Sequence, residues 1–448
     1  MSYDLIIRNG TLVTADGLIN ADLAIADGRI VAIGHDPGGA AEEIDAGGFH
    51  VFPGLIDAHV HFNEPGRGHW EGLASGSRAL AVGGGTLFFD MPLNSAPPLL
   101  DAAQFVAKHT LAAQLSLTDF ALWGGLVPGN ISALDEMAAC GVIGFKAFMA
   151  NSGIAEFAAA DDFTLYEGMQ RAAMLGRIVA VHAENDAITA GLAQRALIEG
   201  RSGVRDFLAA RPVVAELEAI GRAITMAEAT RCALHIVHVS SGRGVALVAA
   251  ARARGVDVSC ETCPHYLVLT VEDVELLGAV AKCAPPIRDQ AEQEALNSAL
   301  VSGAIDFVAS DHSPSSPELK AGDFFSAWGG IAGCQSTLSL LLTEGYQRRG
   351  LPLQRISAVI ASAVARRFVL PHKGRIALGC DADLALVDLT AGTTLSTDAL
   401  HYRHRLSPYT GRHMRGVVRR TIRRGQTIAI DGQPVETAPG HLVRPASA

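Results

Sequence analysis

Long apolar runs, clustered charge and aromatic side chains are all scarce in this sequence. There is no run of about 18 apolar residues, so no membrane-spanning helix is expected. The opening MSYDLIIRNG lacks the basic-then-apolar order of a secretory leader, and a soluble, cytoplasmic protein with no membrane partner is the expectation. Charged residues make up only 18%, which argues against a disordered chain. A net charge of −10 offers no general polyanion-binding surface, so no nucleic-acid partner is expected. One basic run, Arg405, Arg412, Arg415, Arg419, Arg420, Arg423 and Arg424, stands out locally. A solvated or subunit-facing strand surface is its expected role, with a phosphate site the lesser reading. The cysteines, seven and scattered, read as reduced thiols packed in the core. Cys260 and Cys263 form one CxxC with no second pair and Pro264 directly after, so packing is expected there, not zinc or redox chemistry. Also missing are a GxSxG elbow, a P-loop and an HExxH helix. The glycine cluster at 83–86 precedes a strand instead of opening a helix after one.

What is present is a 448-residue chain, 49% hydrophobic, with 47 glycines. That length suits a barrel plus a minor domain. Both ends read as β-strands and turns, in DLIIRNGTLVT and DLAIADGRIVAIG near the start and GRIALGCDADLALVDL and VVRRTIRRGQTIAIDG near the end. Residues 1–53 and 371–448 are therefore expected to assemble one small β-sandwich domain that brackets a central domain at 54–370. In the centre, apolar strands alternate with helical segments such as ALVAAARARG and QEALNSALVSG. Eight candidate strands fall at 51–61, 86–92, 117–127, 142–149, 177–184, 233–240, 256–267 and 304–314. Such alternation implies a parallel sheet, and eight repeats imply a closed (β/α)₈ barrel of the TIM type.

Potential metal ligands recur at the C-terminal ends of these strands, where barrel active sites are built. The first strand ends in Asp57-Ala58-His59-Val60-His61. Histidines at i and i+2 share one face of a strand and can share one ion. The fourth strand carries Lys146, the fifth ends in His182, the sixth in His238 and the eighth in Asp311. A lone strand histidine is more often hydrogen-bonded structure than a ligand, but chance poorly explains five strands delivering such residues to one rim. Imidazole and carboxylate suit zinc, with cobalt, manganese or iron as alternatives. Two ions per chain are expected. A buried lysine can lose its proton. Its neutral amine can then take up carbon dioxide, and the resulting carbamate can bridge both ions.

These motifs resemble the amidohydrolase superfamily, and within it most closely the allantoinases. The likeness is carried by HVHFNEPGRGHWEG, GGGTLFFDMPLNS, GFKAFM, VHAEN, HIVHVSS, CETCPHYL, KCAPPIRD, SDHSPSSPELKAG and AWGGIAG, and by GRIVAIG, YRHRLSPYTGR and IRRGQTI at the two ends. It covers nearly the whole chain. The resemblance implies that His59, His61 and Asp311 bind one ion, His182 and His238 the second, and carboxylated Lys146 both. Asp57 is expected either to hydrogen-bond a ligand histidine or to serve strand-end structure. Dihydroorotases usually carry an arginine just after the HxH, whereas here the order is Phe62-Asn63-Glu64-Pro65-Gly66-Arg67, as in allantoinases. The Asp-Met-Pro-Phe-Gly of hydantoinases is absent. The loop MANSGIAEFAAADDF after Lys146 departs from the allantoinase pattern, which leaves the ring substrate less determined than the chemistry.

The implied reaction is hydrolytic opening of allantoin to allantoate, with water activated at two metal ions and Asp311 moving the proton to the leaving nitrogen. Asn63 is expected to face the substrate, because an amide offers a neutral ring both donor and acceptor but no fork for a carboxylate. Arg67 could compensate by swinging into the pocket. Asn94, Ser313 and Trp328 are further candidate contacts, weighed against turn capping for the first two and core packing for the third. A homotetramer is implied by the resemblance. The alternatives are a hydantoinase, dihydropyrimidinase or dihydroorotase activity, and a non-catalytic barrel scaffold.

Overall fold

The computed structural model describes residues 3–446. Parallel strands run at Leu55–Val60, Gly85–Asp90, Asp119–Leu122 with its continuation Gly124–Gly125, Phe145–Phe148, Val179–His182, Leu234–Ile236, Val258–Thr262 and Phe307–Val308. Each of the eight segments expected from the sequence overlaps one of them, and seven contain it whole; Gly85–Asp90 begins one residue before the expected 86–92. Trp123 breaks the third strand in two. Its amide donates to Asp90 O at 3.0 Å while Gly124 N reaches Gly144 O at 3.0 Å, so this strand links the first three strands to the remaining five. The barrel closes where Val60 bridges His312 in parallel and His61 N donates to His312 O at 2.7 Å.

Helices fill the connections and turn their apolar stripes inward. In Val213–Thr230 the buried positions Ala215, Ala219, Ile220, Ala223, Ile224 and Ala227 recur with helical period. Several helices start on a side-chain cap, as where Asp101 accepts from Gln104 N at 2.9 Å. Residues on alternate faces of the strands pack the barrel interior, among them Ile56, Leu87, Phe89, Ala121, Ala180 and Phe307, with Phe368 in the same cluster. Within this packing His235 is a buried polar exception, stacked on Phe307 at 4.7 Å and bonded to Ser259 and Glu261.

Tyr3–Val13, Leu18–Ala26, Arg29–Gly34, Ala40–Asp45 and His50–Pro53 join Leu384–Thr394, His413–Arg423, Gln426–Ile430 and Gln433–Pro434 in one nine-stranded sheet. The join is made by His50–Pro53, parallel to the first strand and antiparallel to Leu384–Thr394. Leu5, Ile7, Leu23, Ile25, Leu384 and Ile422 form a separate apolar cluster inside this unit. Gly54, the next residue, lies where the chain leaves the sheet for the barrel. A Cβ there would lie 2.3 Å from Thr86 Oγ1, so only glycine fits.

The arginine run is solvated only in part: Arg405 and Arg415 are exposed, and the others are partly or fully covered. Arg423 is buried and donates to Leu117 O at 2.6 Å and Ala438 O at 2.8 Å. Arg424 pairs with Asp119 at 2.8 Å, Arg419 with Asp388 at 3.1 Å and Arg412 with Glu344 at 3.3 Å. Arg412, Arg423 and Arg424 thus meet groups of the barrel, and Arg419 meets Asp388 on the neighbouring strand of its own sheet. All seven cysteines are free. Among the described residues, no helix is long and apolar enough to cross a membrane.

Lys373 is the tightest tie between the two units. Its buried Nζ lies 2.8 Å from Asp119 on the third barrel strand, 2.9 Å from Asp381 and 2.7 Å from Asp383. Removing one partner of a buried ion network strands the others in low dielectric, at a cost of about 3–5 kcal/mol. Lys373→Met is therefore expected to lower the stability to denaturant by about that much. An unchanged unfolding midpoint would show that the network contributes nothing.

Candidate metal centre

The barrel mouth opens into a cavity of about 280 Å³. At its base, His59 Nε2 lies 3.2 Å and His61 Nε2 3.5 Å from Asp311 Oδ1. Beside them His182 Nδ1 faces His238 Nε2 at 3.0 Å. The His59 and His238 rings are 5.5 Å apart, so the two sets adjoin. Lys146 Nζ is buried with no hydrogen-bond partner, and its charge acts on His59, His182 and His238 alike. The six residues singled out from the sequence thus come together.

Electrostatics prepares this set for cations. Burial pushes the His59 and His238 imidazoles far below their ordinary value, and His182 below it too, so all three are neutral and their nitrogens are free to ligate. Burial also pushes the Lys146 ammonium down to about 8, with Asp311 and Glu261 pulling the other way. Three residues here take left-handed angles: His238 and Asp311 sit at φ 39° and 46°, and Asn94 at φ 69°. Non-glycine residues hold such angles only where the surroundings fix them. The neutral imidazoles, the carboxylate and a buried amine without a partner fit two divalent ions.

Carboxylates hold the imidazoles from behind. His59 Nδ1 contacts Glu261 Oε1 at 2.6 Å, which leaves Nε2 for an ion. His182 Nε2 contacts Glu184 Oε2 at 2.9 Å, and Arg211 pairs with the same oxygen. Burial would raise Glu184, but Arg211 and His182 outweigh it and bring it down to about 2.

This donor set on a barrel mouth agrees with what the chain is similar to. A family model described as "Amidohydrolase family" matches residues 50–428. The chain belongs to the amidohydrolase family. Among curated relatives, a protein named allantoinase from Rubrobacter xylanophilus is 58% identical over 99% of this chain and 98% of its own. Another so named, from Deinococcus radiodurans, is 53% identical with both chains fully covered. Among solved structures, the L-hydantoinase (dihydropyrimidinase) of Arthrobacter aurescens superposes with a TM-score of 0.96 at 35% identity, covering 99% of this chain and 100% of that one. The dihydropyrimidinase of Brevibacillus agri NCHU1002 gives 0.92 at 34%, covering 99% of each. The expected fold class, a (β/α)₈ barrel with a β-sandwich built from both termini, accords with these neighbours.

Within this amidohydrolase, three of the four expected substrate contacts line the cavity: Asn94, Ser313 and Trp328. Asn94 Nδ2 lies 3.4 Å from Ser313 Oγ, and the Trp328 ring tilts against Trp70 at 5.0 Å. Asn63 is different. It takes φ 68° in the turn after the first strand, donates its amide to Pro314 O at 3.2 Å, next to the cavity-lining Ser313, and is not itself among the cavity-lining residues; its Oδ1 is buried without a partner. Arg67 likewise donates to Asn94 O at 3.1 Å and Ser95 O at 3.3 Å and does not line the cavity. Asp57 serves strand-end structure, accepting from Ser310 N at 3.0 Å.

Glu184, Glu261, Arg211, Lys282, Cys263 and His265 were not singled out from the sequence as site residues. Glu184 lies two residues beyond His182, and Glu261 falls on the one late barrel strand to which no ligand was assigned; a buried acid at either place was the available signal. Cys260 and Cys263 both pack in the core, as expected, and the ligand-type atoms of Cys263, His265 and Asp311 also lie within 4.8 Å of one another.

Glu261→Gln should leave the fold intact and weaken metal binding by about 10–100-fold, because it loosens the orientation of His59. Competition with a chelator measures this, and wild-type affinity in the variant would refute the orienting role.

Proposed function

We propose that this amidohydrolase opens the ring amide of allantoin to give allantoate, with residues 54–370 as the hydrolase barrel and 1–53 with 371–448 as its small β domain. The observation that carries the reading is the convergence of His59, His61, His182, His238 and Asp311 on one cavity, with Lys146 buried nearby, in a chain 58% identical to a protein named allantoinase. In this reading His59, His61 and Asp311 hold one ion, His182 and His238 the other, and Lys146, carboxylated on Nζ, reaches both. Zinc is the metal proposed, with cobalt, manganese or iron able to replace it. Two divalent ions supply an activated water and polarise the carbonyl under attack.

The rest is done by side chains of the chain itself. Asp311 takes a proton from the attacking water and delivers it to the ring nitrogen as the carbon–nitrogen bond breaks. Glu261 and Glu184 keep His59 and His182 oriented while this happens. Phe148 stacks on His182 at 4.6 Å and shields that side from water. Asn94, Ser313 and Trp328 place the ring, with Asn63 held beside them through Pro314. A cytoplasmic homotetramer, with a small-molecule substrate and neither nucleic acid nor membrane as partner, completes the reading.

A second reading, opening of a hydantoin or dihydropyrimidine ring, is favoured by the names of the structural neighbours. Steady-state kinetics on the zinc-loaded enzyme separates the two. For allantoin, kcat/KM is expected to exceed that for hydantoin, dihydrouracil and dihydroorotate by at least about a hundredfold, or ~2.7 kcal/mol. Equal turnover of any of these rings would defeat the allantoin assignment. Chelation should abolish activity and about two ions per chain should restore it. Lys146→Ala should bind metal poorly and be nearly inactive, with partial rescue by a short carboxylic acid. An unmodified Lys146 in fully active enzyme, read by intact mass, would remove the bridging role.

A further inference from the structure

One wall of the cavity is the segment from Phe325 to Gly330, all six residues of which line it. The segment has no regular secondary structure, so helix or sheet ladders do not fix it. Two lysines from elsewhere do. Lys282 Nζ donates to Phe325 O at 3.0 Å and also to Ala327 O. Lys320 Nζ donates to Trp328 O at 3.0 Å and Gly330 O at 2.6 Å. Four of six consecutive carbonyls therefore end on two ammonium groups. The same lysine stretches add backbone ties, Gly330 N to Lys282 O and Trp328 N to Leu319 O, both 2.7 Å.

The partners of these lysines set them apart. The other buried lysines with ion pairs meet carboxylates: Lys108 pairs with Asp90 at 2.8 Å, and Lys373 with three aspartates. Among the described residues, no carboxylate forms an ion pair with Lys282 or Lys320; Lys282 instead lies over the rings of Phe207 at 4.6 Å and Phe324 at 5.6 Å. A charged donor bonds a carbonyl more strongly than a neutral one. An ammonium can also serve two carbonyls that point to one place. The irregular wall is thus held at fixed points by two side chains, of which Lys282 also lines the cavity.

We propose that Lys282 and Lys320 are positioning residues for the reaction: they fix the Phe325–Gly330 wall, and with it Trp328, against the substrate ring. The inference rests on the cyclic-amide reading above only in needing a ring to be bound, whichever ring that is.

The test uses zinc-loaded holoenzyme and the methionine variants Lys282→Met and Lys320→Met, which keep an unbranched apolar stem and lose the donors. Both should retain about two ions per chain, as the centre itself is untouched. Amides 323–331 should exchange hydrogen at least about tenfold faster than in wild type. KM should rise at least about tenfold while kcat stays within about threefold, the signature of lost ring positioning. If allantoin is not opened by wild-type enzyme, the allantoin reading has failed, and the same comparison on hydantoin or dihydrouracil still decides this one. Wild-type exchange and KM in both variants overturns the proposal. So does a fall in kcat with KM unchanged, or loss of the ions, since either would place the lysines' effect at the metal centre. Should Lys282→Met fail to fold, Lys320→Met, at a half-buried position, supplies both readouts alone.

Discussion

A lysine removed from water with nothing to bond is unstable as an ammonium, and the whole site is arranged around that fact. Lys146 occupies such a place, on the fourth strand, between the histidines of the first strand and those of the fifth and sixth. The barrel wall excludes water from it, and exclusion favours the neutral amine. The same exclusion keeps the neighbouring imidazoles neutral. Burial makes protonation of these donors less favourable, which lowers the cost of placing cations among them. Burial also makes the barrel's apolar interior a functional requirement as well as a stabilising one.

Neutral imidazoles still need aiming. Glu261 and Glu184 each take one nitrogen of a histidine, which decides the nitrogen that remains for an ion. The backbone adds a second constraint, with left-handed angles at His238, Asp311 and Asn94 where strands give way to loops. Strain at these points is offset by packing elsewhere and appears at the positions where side chains must face the cavity. Rigidity at the base of the cavity contrasts with its outer wall, which relies on side-chain ammonium groups for its shape.

The β domain bears on the site indirectly. It is joined to the third barrel strand through Lys373, Arg424 and Asp119 and takes up most of the arginine run. Those arginines look surface-like when read along the chain because the partners that neutralise them are distant in sequence: Asp388 for Arg419, Glu344 for Arg412 and Asp119 for Arg424.

The sequence by itself determined the alternation of eight strands with helices, the β character of both ends, and the six chemistry-bearing side chains at strand ends. These are local signals: periodicity of apolar residues, and position relative to the end of a strand. Tertiary structure alone decided which buried acids stand behind the histidines, because Glu261 meets His59 across 202 residues of chain. It also decided where the Asn63 amide is anchored. A residue next to an HxH reads as pocket-facing, yet a positive φ rotates its amide onto Pro314, 251 residues on. Spacing along a strand fixes the face to which a side chain belongs, and only the closed barrel fixes what waits on that face.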